Sequence, residues 1–177
     1  MSSIFADLAS KAEERGYQFL VIGGHALNSH GYARTTADLD LMARAAERAG
    51  WKEIMVSLGY KLEHEHSSFS QFSTTSETGW PIDIMFVNER SFAGMFAESL
   101  ENPSEKEKFR VPSFEHLVAL KLHALKHSHP GRHFKDLLDI VNLVEVKKVD
   151  MYSEPFRKLC EKYGPHNALE QIIAASG

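Results

Sequence analysis

The sequence predicts an α+β fold, a mixed sheet with flanking helices followed by a C-terminal helical segment. Three observations predict it. Over residues 1–111, short apolar runs bounded by glycine or proline alternate with stretches of helical spacing. From residue 112 onward only helical spacing remains, broken at Pro130-Gly131 and Gly164-Pro165. Two of the short runs carry aspartates on the face opposite their aliphatic residues. We therefore divide the chain into an α/β core, residues 1–111, and a helical region, residues 112–177, expected to complete the active-site cleft.

Ser3 to Arg15 alternates apolar and charged positions at helical spacing, and Gly16 is a suitable stop. Tyr17 to Ile22 is a buried strand by its run of apolar residues. Gly23-Gly24 makes a turn, and His25 to His30 forms a short helix ending near Gly31. Leu39 to Met42 is a second strand, and Arg44 to Leu58 a helix closed by Gly59. Lys61 to His64 and Phe69 to Thr75 read as meander strands. Ile82 to Val87 is a strand with Ile82, Ile84 and Phe86 on one face and Asp83 and Met85 on the other. A helix follows over Arg90 to Ser99, then a polar loop, Glu101 to Glu107, and a short strand, Phe109 to Val111. Ser113 caps a helix reaching His127. Pro130-Gly131 ends it, Arg132 to Val144 forms the next, and one or two more occupy residues 150–175.

A net charge of −4 excludes a uniformly basic nucleic-acid binder, although Lys106 to Lys148 holds nine Lys/Arg against five Asp/Glu and five histidines. That stretch offers either a local surface for phosphates or an ordinary mixed surface. One cysteine, Cys160, excludes an intrachain disulfide. No apolar run has membrane-spanning length, and the first sixteen residues lack a signal-peptide core. The expected setting is cytoplasmic, with no membrane partner.

The chemistry concentrates in Thr36-Ala37-Asp38-Leu39-Asp40-Leu41-Met42. In a strand, Asp38 and Asp40 share a face and repel each other. A divalent cation between them removes that cost, and hard oxygen ligands suit Mg²⁺. Asp83 sits on a separate strand, so pairing of the two strands would bring three carboxylates together, enough for metal-assisted phosphoryl or nucleotidyl transfer. Alone, Asp83 is an ordinary solvent-facing acid. Gly23-Gly24 lets backbone approach a phosphate closely, or is simply a turn.

Val21-Ile22-Gly23-Gly24, a thirteen-residue spacer, Asp38-Leu39-Asp40-Leu41 and a later Ile82-Asp83-Ile84 together resemble the nucleotidyltransferase superfamily related to DNA polymerase β. The sheet would then be of the nucleotidyltransferase type. Gly23-Gly24-His25-Ala26 with Arg34-Thr35-Thr36-Ala37-Asp38 resembles its bacterial branch of minimal transferases and AbiEii-type toxins. The resemblance implies a Mg²⁺ (or Mn²⁺) site at Asp38, Asp40 and Asp83. It implies a triphosphate pocket at Gly23, Gly24, Arg34 and Thr36, with loop support as the alternative role for Arg34 and Thr36. Where many relatives have serine after the first glycine, this chain has Gly24 and lacks that hydroxyl.

In the helical half, Lys121 lies among Leu117, Val118, Ala124 and Leu125 at helical spacing, so it either snorkels outward or points into a cleft. Its context, Leu120-Lys121-Leu122-His123-Ala124, is similar to that branch, which implies a catalytic, phosphate-pairing role. Lys135, Asp136, Asp139 and Asn142 form a polar stripe, and the resemblance makes Lys135, Asp136 and Asp139 nucleotide-site candidates. A Lys135–Asp139 surface ion pair is the plain alternative. His123 and His127 have a possible zinc spacing, but Pro130-Gly131 separates them from His133, so His123, His127, His129 and His133 need not converge.

Two functions remain open at this level. One is an enzyme transferring NMP from an NTP, such as ATP, to an acceptor hydroxyl on tRNA or on a small molecule such as an antibiotic. The other is a catalytically silent NTP-binding or regulatory module of a toxin–antitoxin pair, with an antitoxin protein as partner.

Overall fold

The computed structural model describes residues 3–76, 79–104, 106–127 and 130–177. It divides into an α/β unit, residues 1–29 and 34–113, and a helical unit, residues 30–33 and 114–177.

The α/β unit opens with α1 (Ile4–Glu13), capped by the Ser3 hydroxyl accepting from the Ala6 N–H. Gly16, at φ +67°, ends the turn as its N–H and that of Tyr17 bond back to Glu13 and Ala12. The strand expected over Tyr17 to Ile22 narrows to β1 (Leu20–Val21). Then come α2 (Gly23–Ser29), β2 (Leu39–Arg44), a 3₁₀ turn (Ala45–Glu47) and α3 (Arg48–Ser57). The helix expected from Arg44 thus starts later, because Arg44 still belongs to the strand and the intervening turn is tighter. Next are β3 (Lys61–Glu65), β4 (Phe69–Ser73), β5 (Ile82–Val87) and α4 (Glu89–Ala97), whose Asn88 cap accepts from the Ser91 N–H at 2.9 Å. Leu100–Glu101 (β6), of which Glu101 was expected to open the polar loop, pairs with Arg110–Val111 (β7) in a separate two-stranded ladder.

The five-stranded sheet runs β1-β2-β5-β4-β3. Every neighbouring pair is antiparallel except β2 with β5. One face buries Leu39, Leu41, Ile82, Ile84 and Phe72. Buried Phe5 and Leu8 of α1, and Trp51, Ile54 and Met55 of α3, complete this core. Burial of a leucine-sized side chain contributes about 1.5–3 kcal/mol, so the apolar period of two fixes which way each strand faces. Beyond the aspartates, Arg44 stands 4.2 Å over the Phe92 ring of α4 and bonds Glu89 at 2.7 Å.

The helical unit contains α5 (Phe114–His127), α6 (Pro130–Lys147), α7 (Glu154–Tyr163) and α8 (Ala168–Ser176). Pro130 opens α6 rather than merely ending α5, since proline's missing N–H costs nothing in a first turn. The core holds Leu117, Leu122, Ile140, Leu143, Phe156 and Ile172. Gly164 is obligatory: a Cβ there would lie 2.6 Å from Ala168 Cβ and 2.9 Å from the Cys160 carbonyl oxygen. No helix among the described residues is long and apolar enough to cross a membrane.

Candidate active site

The parallel seam of the sheet sets Asp40 of β2 directly beside Asp83 of β5. Register partners on adjacent strands lie about 4.7–4.9 Å apart and project to the same face. Antiparallel pairing adds Gln71 of β4 opposite Asp83, then His64 of β3 opposite Gln71. One rung of the sheet therefore reads His64, Gln71, Asp83, Asp40. The Gln71 Nε2 donates to Asp83 Oδ2 at 3.0 Å. This second partner went unread in the sequence, where a glutamine in Phe69-Ser70-Gln71-Phe72-Ser73 has the position of any solvent-side residue.

Gly23-Gly24, expected as a turn ahead of a helix from His25, instead begin α2 and close the Asp40 end of the rung. Gly23 has φ +61°, and a Cβ on it would overlap Asp40 Oδ2 and lie 2.7 Å from its Cγ. The carboxylate thus rests on bare backbone. Gly24 is restricted for a different reason: its Cβ would lie 2.7 Å from both Cβ and Oγ1 of Thr36. The hydroxyl missing at position 24 has no room there, because the Thr36 side chain fills that space.

Asp38 precedes β2 at a bend. Thr36 Oγ1 donates toward its Oδ1 at 2.8 Å, so Thr36 holds the loop that presents Asp38. The Arg34 N–H donates to Asn28 Oδ1 at 2.7 Å, tying the same loop to α2. His25, one residue past the diglycine, packs 4.7 Å from Trp80 and 5.5 Å from Phe5 between ring centroids. Burial lowers its pKa below the usual histidine value, against the opposing charges of Glu107 and Asp38.

Among the described residues, no group of three or more His, Cys, Asp or Glu side chains is set closely enough to hold a metal ion. Asp40 and Asp83 share a rung, whereas Asp38 is turned to Thr36. The donor chemistry nonetheless fits a hard cation: two adjacent, half-buried carboxylates, one seated on a glycine with no room for a side chain. Mg²⁺ characteristically takes one or two carboxylates and completes its shell with water and substrate phosphates.

The remaining candidates lie in the helical unit and are described within it. Lys121 is 8% exposed, and its Nζ is bracketed by Asp136 Oδ1 at 2.9 Å and Asp139 Oδ2 at 2.7 Å. Both acids are almost fully buried. The Asp139 salt bridge goes to Lys121, and Lys135 stands exposed. Lys121 neither snorkels outward nor offers an uncommitted ammonium. The His123 and His127 rings lie 4.5 Å apart, His133 Nε2 meets Gln171 Oε1 at 2.7 Å, and His129 lies outside the described residues. A cavity of about 790 Å³ in the α/β unit, lined by Tyr17, Phe19, Phe96 and Phe109, includes none of the candidate residues. Its size is that of a ligand pocket.

A family model described as an uncharacterised nucleotidyltransferase matches residues 1–176. No curated protein matches the chain. Among solved structures, the chain is similar to ANT(2")-Ia in complex with adenylyl-2"-tobramycin, at 15% identity and TM-score 0.65, covering 89% of this chain and 92% of that one. It is similar to the lincomycin-bound lincosamide antibiotic adenylyltransferase LnuA at 18% identity and TM-score 0.55, covering 78% and 93%. An antigenic nucleotidyltransferase-like protein from Paracoccidioides brasiliensis matches at 14% identity and TM-score 0.53, covering 93% and 89%. At these identities the structural likeness concerns the fold.

Proposed function

Because the chain belongs to the nucleotidyltransferase family whose model spans residues 1–176, we propose that it transfers NMP from an NTP to an acceptor hydroxyl at the Asp40–Asp83 rung. The observation that carries this reading is the register of those two acids beside the bare Gly23 backbone.

In this reading Asp40 and Asp83 would hold Mg²⁺ or Mn²⁺ together with the triphosphate, and Asp38 would join them only by turning away from Thr36. When bound, the ion offsets phosphate charge and stabilises the leaving pyrophosphate. Gly23 and Gly24 let the chain approach the phosphates, and Arg34 supplies positive charge from the loop that Thr36 and Asn28 secure. Asp83 takes the proton of the acceptor hydroxyl. The acceptor oxygen then bonds the α-phosphorus, and the bond from that phosphorus to pyrophosphate breaks. Gln71 orients Asp83 by donating to one carboxylate oxygen, which leaves the other for the proton. The likeness to two antibiotic adenylyltransferases and the toxin-branch resemblance suggest the acceptors to try first, small antibiotics and RNA ends.

The test is label transfer from each NTP, with Mn²⁺ or Mg²⁺, to total RNA, aminoglycosides and lincosamides. Asp83→Asn should lower turnover on the order of 10²–10⁴-fold while the protein stays folded. Unchanged turnover in that variant would remove Asp83 from the chemistry.

A further inference from the structure

The polar rung continues into an apolar surface. On the same sheet face, one step along the strands, Phe69 of β4 stands opposite Met85 of β5. Their exposures are 40% and 39%, whereas Ser70, Phe72, Ile82, Ile84 and Phe86 on the other face are buried. The Phe69 ring is not loose. His66 stacks on it, 5.3 Å between centroids and 26° between planes. The His66 N–H donates to the Phe69 carbonyl at 2.8 Å, and its Nδ1 meets Ser68 Oγ at 3.0 Å.

Asp83 is the diagonal cross-strand neighbour of Phe69, a separation on the order of 7–8 Å. Gln71 fills the step between them on the same face. An acceptor whose hydroxyl reaches Asp83 from this side must lie over Phe69 and Met85. A planar unsaturated ring gains stacking on Phe69, whereas a saturated ring has no π-face to offer. The diagonal suits a molecule with a flat ring at one end and a sugar hydroxyl at the other.

Resting on the nucleotidyl-transfer reading above, we propose that Phe69, Met85 and His66 form the acceptor subsite and that the acceptor is a nucleoside. Its base lies on Phe69, and its ribose hydroxyl meets Asp83. That hydroxyl loses its proton to Asp83, its oxygen bonds the α-phosphorus of the NTP, and pyrophosphate leaves. The same chemistry is offered by a free nucleoside and by the 3′ end of single-stranded RNA.

The experiment uses the full chain without NTP, so that binding is read apart from turnover. The probes are 2-aminopurine riboside and a single-stranded tetranucleotide RNA ending in 2-aminopurine, followed by their fluorescence on titration. A saturable change is expected for at least one. Response to the tetranucleotide alone assigns the source to an RNA end, and response to the riboside assigns it to a free nucleoside. Base–aromatic stacking is worth about 1–3 kcal/mol, so Phe69→Ala should weaken binding roughly 5- to 150-fold, and Phe69→Trp should retain it. Mn²⁺ titration of each variant confirms that the carboxylate rung is intact. The proposal is overturned if neither probe responds, or if Phe69→Ala binds like the parent. It is also overturned if NMP passes to an aminoglycoside or lincosamide at the same rate in parent and Phe69→Ala, an outcome that leaves the transferase reading standing. Phe69-dependent binding in a parent chain that passes NMP to no acceptor would overturn the transferase reading and with it the acceptor role, leaving Phe69 a nucleoside-binding surface alone.

Discussion

Gly23 meets two separate demands, a positive φ and a carboxylate packed where a Cβ would stand. The first alone costs a non-glycine residue about 1–3 kcal/mol. Gly23→Ala should therefore lower stability by at least that amount in urea unfolding, and it should displace Asp40, so that Mn²⁺ affinity falls with it. Gly24→Ser is a sharper test, because Gly24 has an ordinary φ and only Thr36 stands in the way. It should disturb the Thr36–Asp38 bond while costing less stability than Gly23→Ala, and equal losses would argue against this division of roles. The two glycines, Asp40 and Asp83 stood out in the sequence because each departs from the pattern around it, whereas the expected strand position of Asp38 beside Asp40 gives way to a bend ahead of β2, where it bonds Thr36. Gln71 was not, since a polar residue on a strand's open face is the common case and only the pairing reveals its partner.

Among the elements, α5 and α6 are joined by the buried cluster of Lys121, Asp136 and Asp139. Removing the cation from such a cluster leaves uncompensated buried charge and typically costs 3–5 kcal/mol. Lys121→Met should destabilise by that order in chemical denaturation. If Lys121 instead acts on phosphate, the variant should lose turnover with little loss of stability. The sequence marked Lys121 as anomalous, but its partners lie fifteen and eighteen positions ahead on another helix, beyond the reach of local spacing. The strands were legible through their alternation, Ile82 to Val87 most clearly. Their ends were less so: β1 keeps only two paired residues, and α6 begins at the proline expected only to end the helix before it. The order β1-β2-β5-β4-β3 is set by long-range pairing, which no run of residues states by itself.

For the molecule as a whole, Cys160 links stability to pH. Burial first, then the charges of Glu161 and Glu170, pushes its thiol pKa up to about 11 from an ordinary 9.0. Below pH 9 the thiol is protonated in both the folded and unfolded states. Between pH 9 and about 11 only the unfolded chain ionises, so stability falls as pH rises through that window, by on the order of 2–3 kcal/mol. Unfolding curves from pH 8 to 11 should show this slope, and Cys160→Ala should reduce it, leaving the part due to Tyr60, whose pKa burial also raises. At neutral pH a thiol reagent should label the native protein slowly and the denatured chain at once.

The single parallel seam carries a consequence for how the protein comes to be active. β3, β4 and β5 are successive antiparallel neighbours that can zip locally, as can β1 with β2, but β2 meets β5 only across a long excursion of chain. Asp40 and Asp83 sit as facing teeth on that last fastening. Their mutual repulsion opposes its closure, so divalent metal added during refolding should hasten the final step, and a half-assembled chain should be inert.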